Sequence, residues 1–178
     1  MDTNLIFGNI VYIVIALFFL KGALYMVKQK HAVIIERLGK FNKVSKAGLH
    51  FKIPFIDSIA GNVNLRVREL PVEVETKTKD DVFVRIVVSV QFFVIDAPVG
   101  IKDSFYELNN PEQQIQSYVF DSIRSEVPMM ELDDVFAEKE KIALAVKTEL
   151  SDTMRQFGFD FIKALVTDID PDSKVKHS

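Results

Sequence analysis

The chain has 178 residues, 48% of them hydrophobic and 26% charged, enough apolar side chain for a packed core and too much for general disorder. It contains no cysteine, which excludes disulfides, thiolate metal sites, cysteine nucleophiles and palmitoylation. The net charge of −3 is unevenly spread. Over residues 21–52, Lys21, Lys28, Lys30, Arg37, Lys40, Lys43, Lys46 and Lys52 face Glu36 alone, and the chain beyond is acidic. Without a basic, aromatic-bearing face after Lys52, nucleic acid is not expected as a partner.

The first element is apolar. "LIFGNIVYIVIALFFL", residues 5–20, has one polar residue, Asn9, and the run continues through "GALYMV" to Val27. At about 1.5 Å of rise per residue a helix over 5–27 is roughly 34 Å long. That is enough to cross a hydrocarbon core of about 30 Å, with Lys21 snorkelling to the near interface. A cleaved signal peptide would carry its positive charges before the apolar run, whereas here Asp2 precedes it and lysines follow. Residues 1–27 are therefore predicted to be a transmembrane anchor, with Leu5, Ile10, Ile13, Leu17, Leu20, Leu24 and Val27 as its membrane-embedded side chains. Lys21, Lys28, Lys30 and Arg37 lie at or just beyond its end. Such cationic flanks stay cytoplasmic and lean on lipid headgroups, so the expectation is a single-pass protein with its folded part in the cytoplasm.

Residues 28–172 read as one domain. "HAVIIERL" is a strand turned by Gly39, and "KAGLHFKIPFID" gives short extended pieces punctuated by Gly48 and Pro54. Two alternating runs, "NVNLRVRELPVEVET" and "VFVRIVVSVQFFV", flank the polar "KTKDD" and predict a long antiparallel hairpin. Val82, Val84, Ile86, Val88, Val90 and Phe92 should face its core. At Asp96 the period changes. Asn110 as N-cap, Pro111 at the first helical position and Gln113 at the capping-box position predict a helix ended by Pro128, with Ile115, Tyr118, Val119, Ile123 and Val127 on one face. A second helix over 137–156, striped by Ile142, Val146, Leu150, Met154 and Phe157, stops at Gly158. "FDFIKALVTDID" closes the domain as a strand. The fold class is α+β, a curved antiparallel sheet covered by helices, after an N-terminal transmembrane helix.

The order and spelling of five segments carry a resemblance. "VIIERLGKF", "AGLHFKIPFID", "ETKTKDDVFVRIVVSVQF", "QIQSYVFDSIRSEVPMMELDDVFAEKEKIA" and "FGFDFIKALVTDIDPD" resemble the stomatin/prohibitin/flotillin superfamily, whose shared unit is the SPFH or band-seven domain. The last three are particularly similar to the plant hypersensitive-induced reaction proteins. The resemblance implies a membrane-attached scaffold that oligomerises into rings or cages, organises lipid microdomains and modulates membrane proteases or channels, with no catalytic residues. It departs from those plant proteins in having Asp2 and an apolar helix where they carry a lipid-anchored glycine. It departs from stomatins in lacking a proline-bent hairpin. The superfamily continues past "DIDPD" into a coiled coil, so residues 173–178 are expected to be the start of such a helix, missing or truncated here.

Chemistry-bearing residues are sparse. His31, His50 and His177 are scattered without metal-ligand spacing. His50, Asp57 and Ser58 make a triad only on paper, lacking a nucleophile elbow or oxyanion donors. "DIDPDS" opens like a calcium loop but has no glycine at the sixth position. Asp133 and Asp134 fit a helix start. No catalytic, cofactor or metal site is expected, and no enzyme activity. Phe51, Ile53, Pro54, Phe55 and Ile56 are the candidates for shallow membrane contact, against core filling beneath a loop. The expected function is a self-associating membrane scaffold subunit whose partners are membrane lipids, further copies of itself and membrane-protein clients. The alternative is a monomeric or small-oligomer lipid- or partner-binding module, such as a truncated form that interferes with full-length relatives.

Overall fold

A computed structural model of the chain describes residues 12, 14, 18 and 20–171. The anchor residues Leu5, Ile10, Ile13 and Leu17 lie outside the described residues, as does the 173–178 stretch. The chain divides between Leu65 and Arg66 into two compact units. That boundary falls inside the stretch read from sequence as one domain.

In the first unit, the described residues up to Ala23 that follow Leu20 are helical, and the chain then turns to strand. β1 (Leu24–Val27) pairs antiparallel with β4 (Gly48–Phe51), and β2 (His31–Arg37) is the centre of a sheet ordered β3-β2-β5, with β3 at Lys40–Ser45 and β5 at Asp57–Asn64. This corrects the helix expected to run to Val27. Leu24 and Val27 belong to a strand, because the backbone of 24–27 finds its partners in Gly48–Phe51 and Val27 packs with Val33 and Ile35. Among the described residues no helix is long and apolar enough to cross a membrane. Leu38 and Gly39, both at positive φ, close the β2–β3 hairpin, as the glycine predicted.

The second unit is built on β6 (Arg68–Lys77), β7 (Phe83–Val94) and β8 (Phe159–Pro171), ordered β6-β7-β8. The predicted β6–β7 hairpin forms, but Lys77 lies opposite Phe83, so its turn is 78–82, one residue later than "KTKDD", and Val82, expected in the core set, is a half-buried loop residue. Val84, Ile86, Val88, Val90 and Phe92 are all buried, while Phe83 and Arg85 on the alternate face are exposed. Helices cover the buried face. α2 (Pro111–Glu126) contributes Ile115, Val119 and Ile123, and α4 (Lys139–Met154) contributes Ile142, Val146, Leu150 and Met154. Asn110 Oδ1 accepts from the Gln113 backbone N–H at 3.1 Å, so the cap is where sequence placed it.

Three features differ from the expectation. A helix, α1 (Pro98–Tyr106), starts at Pro98 and was not anticipated. The helix expected over 137–156 forms as α4, Lys139–Met154, but a short helix not expected, α3 (Leu132–Ala137), precedes it across Glu138. Asp133 and Asp134 lie in the first turn of α3, but the cap comes from the β6–β7 loop: Asp80 Oδ1 accepts from the Leu132 N–H at 3.1 Å. The Thr78 hydroxyl donates to the same carboxylate at 2.6 Å and holds Asp80 below its ordinary pKa. Lys79 N–H bonds Met130 O at 2.8 Å, completing the dock of the hairpin tip on this helix start.

Gly158 ends the 3₁₀ turn after α4 with φ +80°, and a Cβ there would lie 2.0 Å from Gly100 O. The start of β8 thus presses directly on α1. Gly158→Ala combines a left-handed backbone with overlap against a carbonyl, and should cost roughly 2–5 kcal/mol. Chemical denaturation followed by circular dichroism in detergent measures it.

Candidate membrane-contact site

Sequence singled out the "KIPFID" turn, and in the structure it is a tightly bonded loop at the end of β4. Asp57 holds it together. Its carboxylate receives the Ile53 N–H at 2.9 Å and both the Nε and the Nη2 of Arg37, at 2.7 and 3.2 Å. The Asp57 N–H returns to Ile53 O at 2.9 Å, and Leu38 N–H bonds Ile56 O at 3.1 Å. The Asp57 side chain is 2% exposed, and the Arg37 guanidinium, followed by the Ile53 amide, holds its pKa down at about 2. Arg37, expected at the headgroups, is bonded to this turn.

The loop presents apolar side chains outward. Phe55 is 82% exposed and sits at φ +66°, a conformation that disfavours any bulky residue. Ile53 and Ile56 are exposed and Pro54 is half-buried. Phe51 belongs to the neighbouring two-stranded sheet, where strand alternation divides the residues cleanly. Leu24 and Phe51 are paired across the sheet, as are Met26 and Leu49. Met26 is 78% exposed, Leu49 66% and Phe51 55%, and Leu24 is also exposed. The opposite face is inward. Tyr25 stacks on His50 at 5.6 Å, donates or accepts with Ser45 Oγ at 2.5 Å, and packs on the Val27, Val33 and Ile35 cluster. Of the five predicted contact residues, Phe51 lies on the outward face and Ile53, Pro54, Phe55 and Ile56 in the loop that follows it, all but Pro54 exposed. Leu24, Met26 and Leu49 were missed as part of that face. Their alternation was the available signal, hidden because the residues around positions 24 and 26 are apolar too.

The loop also meets the end of the helical segment. Pro54 Cβ and Cγ stand 3.7 Å from where a Cβ on Gly22 would be. Phe18, Lys21 and Gly22 on one side and Lys52, Pro54 and Phe55 on the other line a groove of about 420 Å³.

The residues weighed as a triad are engaged separately. His50 Nε2 bonds Lys46 O at 2.6 Å, Asp57 is bound to Arg37, and Ser58 lies on β5 beside it. Asp168 and Asp170 of the calcium-like stretch are in strand β8, and Asp170 pairs with Arg85 at 2.9 Å. Among the described residues no cluster of three histidines or acids is placed to hold a metal.

The chain matches the SPFH domain / Band 7 family over residues 25–178. It is 42% identical over 151 residues to hypersensitive-induced response protein 4 of Arabidopsis thaliana, a match covering 84% of this chain and 51% of that protein. An uncharacterized protein of Methanocaldococcus jannaschii is 29% identical over 166 residues, covering 93% and 81%. A stomatin-like protein of Caenorhabditis elegans is 28% identical over 155 residues, covering 85% and 46%. The chain spans about half the length of the plant relative.

Asp57 has a folded pKa below its ordinary 3.8, so its contribution is complete above pH 4 and is lost as pH falls toward 2. Asp57→Asn should lower the melting temperature at pH 7, with the gap to the unaltered chain closing between about pH 4 and pH 2. A scanning-calorimetry series across that range is the check.

Proposed function

Because this chain belongs to the SPFH domain / Band 7 family, we propose that it is a membrane-anchored scaffold subunit whose first unit rests on the bilayer and which assembles laterally with further copies. The observation that supports the reading is the exposed apolar face of the β1–β4 sheet, Leu24, Met26, Leu49 and Phe51, followed in the chain by the exposed Phe55 loop, which lines a groove with Phe18 and Lys21 at the end of the apolar N-terminal run. Contiguous apolar surface of this kind is uncommon on a water-facing protein and marks a membrane or protein contact. The anchor is the apolar run up to Ala23, rather than to Val27. Nineteen residues from Leu5 correspond to roughly 28 Å of helix, still close to the hydrocarbon thickness. Lys21 then stands at the interface, and Lys28 and Lys30 follow on the cytoplasmic side.

The surface favoured for lateral assembly lies on the second unit. The sheet order leaves an edge of β6 and an edge of β8 without a strand neighbour among the described residues. β6 carries Pro71 in mid-strand, opposite Ser89, so its missing N–H must face the open edge, and Glu69, Glu73 and Glu75 share that parity. Such an edge is blunted. The β8 edge has no proline before Pro171 and borders a groove of about 520 Å³ against α4, lined by exposed Leu144 and Ile162 with Lys139, Lys147 and Lys163. In the plane of a membrane, effective concentration strengthens weak contacts, so a modest surface suffices. Organising lipid microdomains and modulating membrane proteases or channels are the outcomes such an array would have.

Since the chain lacks cysteine, single cysteines carrying nitroxide labels report depth directly. Labels at Leu49 and Phe51 should be shielded in bilayers from a water-soluble relaxant and open to oxygen, which partitions into hydrocarbon. Ready access of the water-soluble relaxant at both sites would refute the contact. For assembly, Leu144→Glu with Ile162→Glu should shift the detergent-solubilised particle to single-chain mass in mass photometry. An unchanged particle would remove this groove from the interface.

A further inference from the structure

We propose that the groove between the end of the N-terminal helical segment and the "KIPFID" loop binds the phosphate of an anionic phospholipid headgroup, clasped between Lys21 and Lys52. The inference rests on the bilayer contact proposed above and adds a ligand to it.

The groove of about 420 Å³ has two unlike kinds of wall. Phe18 and Phe55 form exposed aromatic sides, and Gly22 and Pro54 the narrow floor where the two segments touch. Among the described residues Lys21 and Lys52 are the charged ones that line it, and no carboxylate does. Among the described residues neither lysine has an ion pair, in contrast to Arg37, whose charge is taken up by Asp57. Lys52 is fixed at its backbone, its N–H donating to Ala23 O at 2.7 Å, so the two lysines are brought together by main-chain structure and not by flexible loops. Two cations at the mouth of an apolar cleft call for an anion attached to apolar chains. The exposed surface of Leu24, Met26, Leu49 and Phe51 is in the same unit, so the groove meets lipid at headgroup level when that surface is seated. The length of the lysine stem lets each ammonium reach outward while its methylenes stay against the phenylalanines. A soluble phosphate would gain the charges but leave both aromatic walls wet.

The chain has no tryptophan, so Phe51→Trp, outside the groove, gives one emission signal. The full chain carrying it is placed in nanodiscs of phosphatidylcholine, with or without phosphatidylglycerol. A blue shift is expected in both, larger with phosphatidylglycerol and reduced by salt. Each lysine should favour the seated position about five-fold, or about 25-fold for the pair. Lys21→Gln with Lys52→Gln should erase the phosphatidylglycerol increment while keeping the phosphatidylcholine shift, which shows that the variant is folded and seated. Lys40→Gln with Lys46→Gln, outside the groove, should keep most of the increment. An identical shift in both lipids, an increment that survives Lys21→Gln with Lys52→Gln, or one lost equally in the control pair overturns the headgroup site while leaving the bilayer contact standing. No shift in either lipid overturns both. Inorganic phosphate matched in ionic strength to chloride should have no effect beyond chloride's, and a phosphate-specific loss would assign the groove to a soluble anion instead.

Discussion

The carboxylate of Asp57 is the point on which the first unit turns. A loop that shows three large apolar side chains to the outside has no hydrophobic gain of its own to hold its shape. It must be held by polar bonds from within. Asp57 supplies them by joining the Ile53 amide at one end of the loop to Arg37 at the end of β2. Arg37 suits that role because its planar fork satisfies both carboxylate oxygens at once, which an ammonium cannot do. With the pair in place Phe55 can be kept at φ +66°, a backbone state costing about 1–2 kcal/mol that a free loop would abandon.

The second unit solves a different problem with different means. Its sheet is buried on one face by α2 and α4, so the core follows from two periodicities meeting, two in the strand and 3.6 in the helices. The other face combines a polar ladder with Phe83, Val87 and Phe93. Arg85 bridges Glu73 on one neighbour and Asp170 on the other, and Ser89 bonds Glu69. Open ladders of this kind contribute little to stability, but they oppose stacking of the sheet face on another sheet. The β8 edge differs from that face in setting the exposed apolar side chains of Leu144 and Ile162 among Lys139, Lys147 and Lys163.

Much of this was legible in the sequence, and what was not shares a physical reason. The β6–β7 hairpin, the Asn110 cap and the Gly158 stop are local signals, each decided by residues within a turn or a period of one another. The change from helix to strand at Leu24 was not legible, because hydrophobicity is the same on either side and the deciding partners, Gly48–Phe51, lie some 25 residues on. The capping of α3 by Asp80 spans 52 residues and leaves the local sequence, rich in Asp133 and Asp134, pointing at the wrong acceptor. The break at Glu138 has no glycine or proline to mark it. In the site, the five predicted residues were found from their apolar character in a punctuated loop, while their neighbours Met26 and Leu49 needed the strand pairing to be seen.

That same pairing explains why an apolar run of this length should give up its last four residues to a sheet. A helix continued through Val27 would bury Leu24 and Met26 in the hydrocarbon but carry Tyr25 and Val27 with them. It would leave Val33 and Ile35 without their cover. Splitting the run at Ala23 lets alternate residues serve two purposes, Tyr25 and Val27 closing a protein core and Leu24 and Met26 remaining outward. The outward pair then lies on a two-stranded sheet that begins directly after the helical residues 20–23. If the first unit is fastened to a bilayer at both places, its rotation about the helix axis is restricted. Restriction of that kind lowers the orientational entropy lost when one copy meets the next, which is how a weakly adhesive edge could become sufficient for assembly.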